Sequence, residues 1–150
     1  MPNKIWIPTL AIVLIVAIFR GRSKSVDPQN HWKHMESVDL LSTDGEKWTF
    51  SDELPTVLIC AKTEDQYLSS PHHQKLFEEL SQNTAVDTRL VIAYPPLHSR
   101  IALSYLSAPE ANRSIYDQID LPSVAIIKTD GSAIERKDVS SREAIELLFE

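Results

Sequence analysis

The sequence predicts an α/β protein in which a mixed central sheet is flanked by helices, with a single transmembrane helix at the N-terminus. Three largely apolar segments of strand length, at residues 56–61, 89–94 and 124–127, are separated by segments with helical periodicity. A hairpin pattern precedes these runs, and a second hairpin and a helix follow them. A separate apolar run at residues 5–19 predicts the transmembrane helix.

Length and composition fit one globular domain plus an anchor. The chain has 150 residues, is 43% hydrophobic and carries a formal net charge of −6. This acidic balance predicts no nucleic-acid partner, because phosphate binding requires clustered lysine and arginine. A single cysteine, Cys60, excludes an intrachain disulfide. The three glycines form no phosphate-binding loop, and we expect no cofactor.

Residues 1–20 are predicted to be a retained transmembrane anchor that contacts the lipid bilayer through residues 5–20. The apolar run is slightly shorter than the roughly 17–25 residues of a spanning helix, and snorkelling of Lys4 and Arg20 extends it. A cleavable signal peptide is the alternative. Retention is favoured because the run ends in basic residues without a small-residue cleavage site.

Residues 21–35 are a predicted polar linker between the anchor and a soluble domain at residues 36–150. Basic residues are more numerous after the apolar run than before it, so the positive-inside rule places the soluble domain on the cytoplasmic side.

His31 and His34 have the spacing that lets one helical turn direct both rings at a metal ion, with Asp27 and Glu36 nearby. No third strong ligand accompanies them. We therefore expect a membrane-proximal surface and no metal site, and metal delivery is kept as an alternative.

The soluble domain is predicted to begin with a β-hairpin. Residues 37–41 and 47–50 are the strands, and residues 42–45 are the turn, because aspartate bonds to nearby backbone and glycine tolerates positive φ. The apolar run 56–61 follows. It is predicted to be a strand buried on both faces at the centre of the sheet.

Four helical segments are predicted along the domain. Ser69-Ser70-Pro71 marks a helix start, since serine caps free amides and proline suits the first helical position. Apolar spacing predicts helices at residues 101–106 and 109–119. Capping-box spacing at residues 140–143 predicts the final helix, and Asp130-Gly131 the turn between the last two strands.

The segment from Leu121-Pro122 through the apolar run 124–127 to Gly131 carries a family resemblance. With the turn Asp44-Gly45, which leads to Ser51-Asp52 and a buried strand, it resembles the membrane-anchored thioredoxin-like proteins related to TlpA and the peroxiredoxins. The resemblance covers residues 36–150. It implies a thioredoxin-like sandwich and a cis peptide bond between Leu121 and Pro122.

The chain departs from this family at the redox motif, because it contains no C-x-x-C sequence. Carried over from the preceding strand, the first cysteine of the motif falls on Glu64. Carried back from the following helix, the motif falls on Ser69, Ser70, Pro71 and His72. The resemblance makes these residues, with Pro122, a vestigial active-site region without a catalytic residue. Serine cannot replace the thiolate in disulfide exchange.

Cys60 and the adjacent histidines His72 and His73 are further candidate sites. Cys60 lies within an apolar strand and is predicted to be a small buried hydrophobe, since a reactive thiol needs an exposed, electropositive setting. His72 and His73 are about 100° apart on a helix and are not expected to bind one metal ion. Both are predicted to be solvent-exposed at the helix start.

The sequence therefore favours a non-catalytic, membrane-anchored thioredoxin-like module. It is predicted to bind a membrane protein or complex, as an accessory subunit or as an assembly or scaffold factor. The alternative is a thiol-dependent oxidoreductase or peroxidase that uses Cys60.

Overall fold

Seven strands form one mixed sheet in the computed structural model, which describes residues 39–149. The strands are β1 (Leu40–Leu41), β2 (Lys47–Trp48), β3 (Thr56–Ala61), β4 (Asp87–Ile92), β5 (Leu106–Ser107), β6 (Ser123–Ile127) and β7 (Ala133–Arg136). The helices are α1 (Glu64–Leu68), α2 (Pro71–Ser81), α3 (Arg113–Tyr116) and α4 (Ser141–Leu148), with a 3-10 turn at Glu110–Asn112. The strand order is β2-β1-β5-β4-β3-β6-β7.

Strand β3 is at the centre of the sheet, as its unbroken apolar sequence predicts. It pairs in parallel with β4 and antiparallel with β6, with Cys60 opposite Val91 on one side and Ser123 on the other. All six residues of β3 are buried. A strand covered on both faces has no polar side, which explains why TVLICA shows no alternation.

The two faces of the sheet support two apolar cores. Val57, Ile59 and Ala61 point to the face covered by α1, α2 and α4. Leu58 and Cys60 point to the opposite face, where Tyr116 of α3 packs. Because side chains alternate along a strand, one sequence run builds both layers of the sandwich.

The predicted hairpin is present between β1 and β2. The Gly45 N–H donates to the Ser42 carbonyl (2.9 Å), and the Ser42 N–H donates to the Glu46 carbonyl (2.8 Å). Gly45 has φ of +85°, a conformation in which any other residue would be strained. Asp44 accepts a bond from the Glu46 N–H, as expected of aspartate in such a turn.

The prediction of a helix at residues 101–106 is wrong. This segment is irregular and leads into β5, which pairs in parallel with β4 and antiparallel with β1. Ile101 and Tyr105 pack against one core and Leu106 against the other. The apolar spacing therefore comes from an extended chain that contributes to both layers, and not from one face of a helix.

The predicted helix at 109–119 is shorter than expected and consists of the 3-10 turn and α3. The two longer helices start where predicted. Pro71 is the first residue of α2, but the side chain of Ser70 does not make the predicted capping bond. At the start of α4, the hydroxyl of Ser140 accepts a bond from the Glu143 N–H (3.1 Å).

The predicted anchor (1–20), the linker (21–35) and the residues His31 and His34 lie outside the described residues. Within residues 39–149, no helix has the length and apolar character to cross a bilayer. In the same part of the chain, no group of three or more histidine, cysteine, aspartate or glutamate side chains is placed to hold a metal ion.

Candidate functional site

The candidate site begins at the carboxyl end of β3, where the chain enters α1. The Thr63 hydroxyl accepts a bond from the Gln66 N–H (3.2 Å) and so caps the helix. Glu64 and Asp65 occupy the first turn, where negative charge is favourable. Residues 64–68, which lie between the two motif registers implied by the resemblance, form this short helix.

Glu64 is the buried charged residue of this site. Its side chain is 2% exposed and accepts two short hydrogen bonds, from the Tyr105 hydroxyl to Oε2 (2.6 Å) and from the Arg100 N–H to Oε1 (2.7 Å). Burial alone raises the pKa of this carboxyl. The bonds from Tyr105, the Arg100 amide and Ser99, with the charge of Arg100, outweigh burial, and the net pKa of Glu64 is lowered. Glu64 is therefore ionised at neutral pH.

The loop at residues 95–105 is joined to α1 by these bonds. The Arg100 guanidinium also forms an ion pair with the carboxylate of Asp65 at the surface. An exposed pair of this kind contributes little stability, so the buried carboxylate of Glu64 is the stronger attachment. A cavity of about 400 Å³ lies between this loop and the β1–β2 turn, and its lining includes Ser42, Gly45, Ile101 and Tyr105.

Gln66 connects α1 to the segment before β6. Its Oε1 accepts a bond from the Lys62 N–H (2.6 Å), and its Nε2 donates to the Leu121 carbonyl (3.0 Å). The peptide bond between Leu121 and Pro122 is cis, as the family resemblance implied. The glutamine amide of α1 therefore binds the carbonyl that precedes the cis-proline.

The residues on which the redox motif falls when it is carried back from the helix lie at the junction of α1 and α2. Ser69 is the exposed C-cap of α1, Ser70 is the partly exposed N-cap of α2, and Pro71 follows it. His72 is exposed, and its Nε2 donates to the Asp138 carboxylate (2.8 Å) and to the Val139 carbonyl (3.1 Å). These residues follow the end of α1, whereas Glu64 is its first residue.

The prediction that His73 is solvent-exposed is wrong. Its side chain is 7% exposed, with Nδ1 2.5 Å from the Ser70 hydroxyl and Nε2 3.2 Å from the Lys137 carbonyl. The segment between β7 and α4 covers this ring. Burial lowers the pKa of His73, and the nearby His72 lowers it further, while the Lys137 carbonyl and Asp138 act in the opposite direction.

Cys60 is fully buried and free, as predicted. Burial raises the pKa of its thiol well above the ordinary value, and the charge of Glu135 acts in the same direction. A thiol held protonated in the interior is neither an exchange nucleophile nor accessible to a disulfide.

Three residues that shape this region were not singled out from the sequence: Gln66, Arg100 and Tyr105. Tyr105 is 41 positions from Glu64, and the Arg100 amide is 36 positions from it. No local pattern signals such contacts. The only available signal was the acidic pair at 64–65 directly after a buried strand, a position at which a charge requires a partner.

Comparisons with known proteins identify the fold. One similar structure is the pneumococcal exposed lipoprotein thioredoxin of Streptococcus pneumoniae strain TIGR4, with 14% identity and a TM-score of 0.53 over 74% of this chain and 96% of that chain. An uncharacterised thioredoxin-like protein from Porphyromonas gingivalis has 11% identity and a TM-score of 0.49 over 77% of this chain and 88% of that chain. No family model and no curated protein matches the sequence. The protein has a thioredoxin-like fold, and the likeness to the pneumococcal structure establishes the fold alone.

Proposed function

We propose that this protein is a redox-inactive thioredoxin-like module, tethered to a membrane by its N-terminal apolar segment. It acts by binding a membrane protein or complex, as an accessory subunit or as an assembly factor. The observation that carries the proposal is the burial of Cys60 at the centre of the sheet. With that thiol enclosed, the fold has no sulfur available for exchange.

The site chemistry supports the proposal. A redox site in this fold needs a thiolate that is accessible at a helix start. When the motif is carried over from the preceding strand, its first position is Glu64. The carboxylate of Glu64 accepts hydrogen bonds from Tyr105 and the Arg100 amide. A carboxylate fixed in this way joins a loop to a helix and transfers no electrons. A retained fold without an accessible thiol supports a binding role in place of thiol exchange.

The apolar sequence at residues 5–19 and the polar linker that follows support the tether. The excess of basic residues after the apolar run supports a cytoplasmic soluble domain. Alkaline carbonate treatment of membranes tests the tether, since the full chain should stay in the membrane pellet. Release into the supernatant, or a mature chain that begins after residue 20, would contradict it.

Two assays test the functional part. The purified full chain, kept soluble in mild detergent, should neither reduce insulin nor consume peroxide at enzymatic rates. Tagged full chain and a Cys60→Ala variant, each expressed in the native host, should co-purify the same membrane protein. Enzymatic turnover that disappears in a folded Cys60→Ala variant would overturn the proposal in favour of the thiol enzyme.

A further inference from the structure

Ser70 and His73 form a hydroxyl–imidazole pair at the start of α2. The Ser70 Oγ is 2.5 Å from His73 Nδ1, and the opposite ring nitrogen is 3.2 Å from the Lys137 carbonyl oxygen. A carbonyl oxygen can only accept, so Nε2 carries the hydrogen. Nδ1 of the neutral ring is then an acceptor, and the Ser70 hydroxyl donates to it.

This arrangement differs from ordinary helix capping. A serine at the N-cap normally accepts a bond from a backbone N–H of the first turn. Ser70 makes no such bond, and its hydroxyl is directed to the imidazole instead. Within residues 39–149, no side chain caps the first turn of α2. The Ser70 hydroxyl is therefore bonded to the imidazole and not to an amide of the first turn.

The geometry points to Ser70 as a nucleophile for acyl transfer, activated by His73 as general base and oriented through the Lys137 carbonyl. Serine hydrolases use the same arrangement: a nucleophile, a base within hydrogen-bond distance of it, and a third group that orients the base. The matching substrate class is an activated carboxylic ester. Ser70 is partly exposed, whereas the base is buried. The nucleophile is the hydroxyl oxygen of Ser70 and not a thiol. The inference is therefore independent of the proposed partner-binding role.

The covalent step is balanced without a cofactor. The Ser70 oxygen attacks the ester carbonyl carbon while its proton moves to His73 Nδ1. The carbon–oxygen bond to the leaving group breaks, and the alkoxide leaves with the proton from Nδ1. Water then hydrolyses the acyl-serine by the same proton transfers in reverse.

A fluorophosphonate alkyl ester tests this inference directly. Its phosphorus forms a bond to the Ser70 oxygen as the phosphorus–fluorine bond breaks, and the proton and fluoride leave to solvent. Incubation of the full chain, followed by intact mass and peptide mapping, should show one adduct on Ser70. The rate should exceed that of the urea-unfolded chain by about 100-fold or more. Absence of an adduct in the folded protein would overturn the inference.

Matched variants distinguish activation of the Ser70 hydroxyl by His73 from simple exposure of that hydroxyl to the reagent. Ser70→Ala should remove the adduct, whereas Ser69→Ala, a change in the exposed neighbour, should leave it unchanged. His73→Gln keeps a donor for the Lys137 carbonyl, and His73→Asn keeps an acceptor for the Ser70 hydroxyl, but neither amide is a base. Each folded variant should lose labelling rate by about 100-fold. Labelling at Ser70 that survives either change in a folded protein would overturn the role of His73.

The pH profile of labelling gives a readout that a structural role would not produce. The pKa of His73 is lowered from 6.5, so the rate should rise with pH and reach half its plateau below pH 6.5. The titratable groups facing the ring are His72 and Asp138, and the Lys137 ammonium is paired with Asp120. Replacing Asp138 by Asn should move the midpoint to lower pH. A rate that does not change between pH 5 and pH 8 would contradict general-base activation.

Discussion

Replacing Tyr105 by phenylalanine removes one of the donors to the buried carboxylate of Glu64. The hydroxyl is 2.6 Å from Oε2, and the carboxylate is 2% exposed. A hydrogen bond to a charged group contributes about 1.5–3 kcal/mol. The Arg100 amide still binds Oε1 in the variant. We therefore expect Tyr105→Phe to lower the free energy of unfolding by about 2 kcal/mol at pH 7.

The pH dependence of this loss follows from the lowered pKa of Glu64. A carboxyl with a folded-state pKa below its unfolded value contributes stability above the unfolded pKa. That contribution is lost as the pH falls through the folded-state pKa. The difference in stability between the wild type and Tyr105→Phe should therefore be constant near neutrality and smaller at pH 3.

Urea unfolding followed by circular dichroism, on the full chain in mild detergent, measures both quantities. Tyr94→Phe is the matched control, because the Tyr94 hydroxyl shares its hydrogen between the exposed carboxylate of Asp117 (2.9 Å) and the Arg113 carbonyl (3.1 Å), and neither is a buried charge. Its loss should be smaller. Equal losses for the two variants, or a loss at position 105 that is the same at pH 3 and pH 7, would refute a buried charged acceptor at Glu64.

Three further predictions concern the core, a helix and a turn. Cys60 should react with a thiol reagent such as DTNB only as fast as the protein unfolds, and Cys60→Ser should cost about 1–3 kcal/mol in urea unfolding because it buries a hydroxyl; rapid reaction of the native protein would contradict this. Ser140→Ala should cost about 1 kcal/mol in thermal unfolding, since it removes the bond to the Glu143 amide, with Ser141→Ala as a same-chemistry comparison. Gly45→Ala should cost about 1–2 kcal/mol in the same assay because φ is +85° and the site is open, so only backbone strain opposes the methyl group; no loss would show that the turn adopts another conformation.

The central sheet was predictable because burial on both faces leaves a direct trace in the sequence. The run 56–61 is apolar without alternation and becomes β3, and the capping pattern at 140–143 becomes the start of α4. Segments that contribute to both cores cannot be read in this way. Residues 101–106 have helix-like spacing but are extended, since pairing of β5 with β1 and β4 overrides local preference.

The site was only partly predictable, because its contacts join distant parts of the chain. The position of Glu64 followed from the resemblance, but its partners Arg100 and Tyr105 come from the loop after β4. His73 was expected at the surface because α2 starts there. Its burial depends on the segment around Lys137, 64 positions later, which the sequence of α2 does not indicate.

β3 pairs in parallel with β4 and antiparallel with β6, which comes much later in the chain. This order has a consequence for biosynthesis. β3 emerges from the ribosome before both of its neighbours, and its pairing with β6 requires residues up to Ile127. Translation at about 5–20 residues per second leaves this apolar edge unpaired for seconds. An unpaired apolar edge is a template for pairing with other chains. We therefore expect newly made chains to depend on chaperones until Ile127 has been synthesised, and slower elongation across residues 93–122 to increase aggregation.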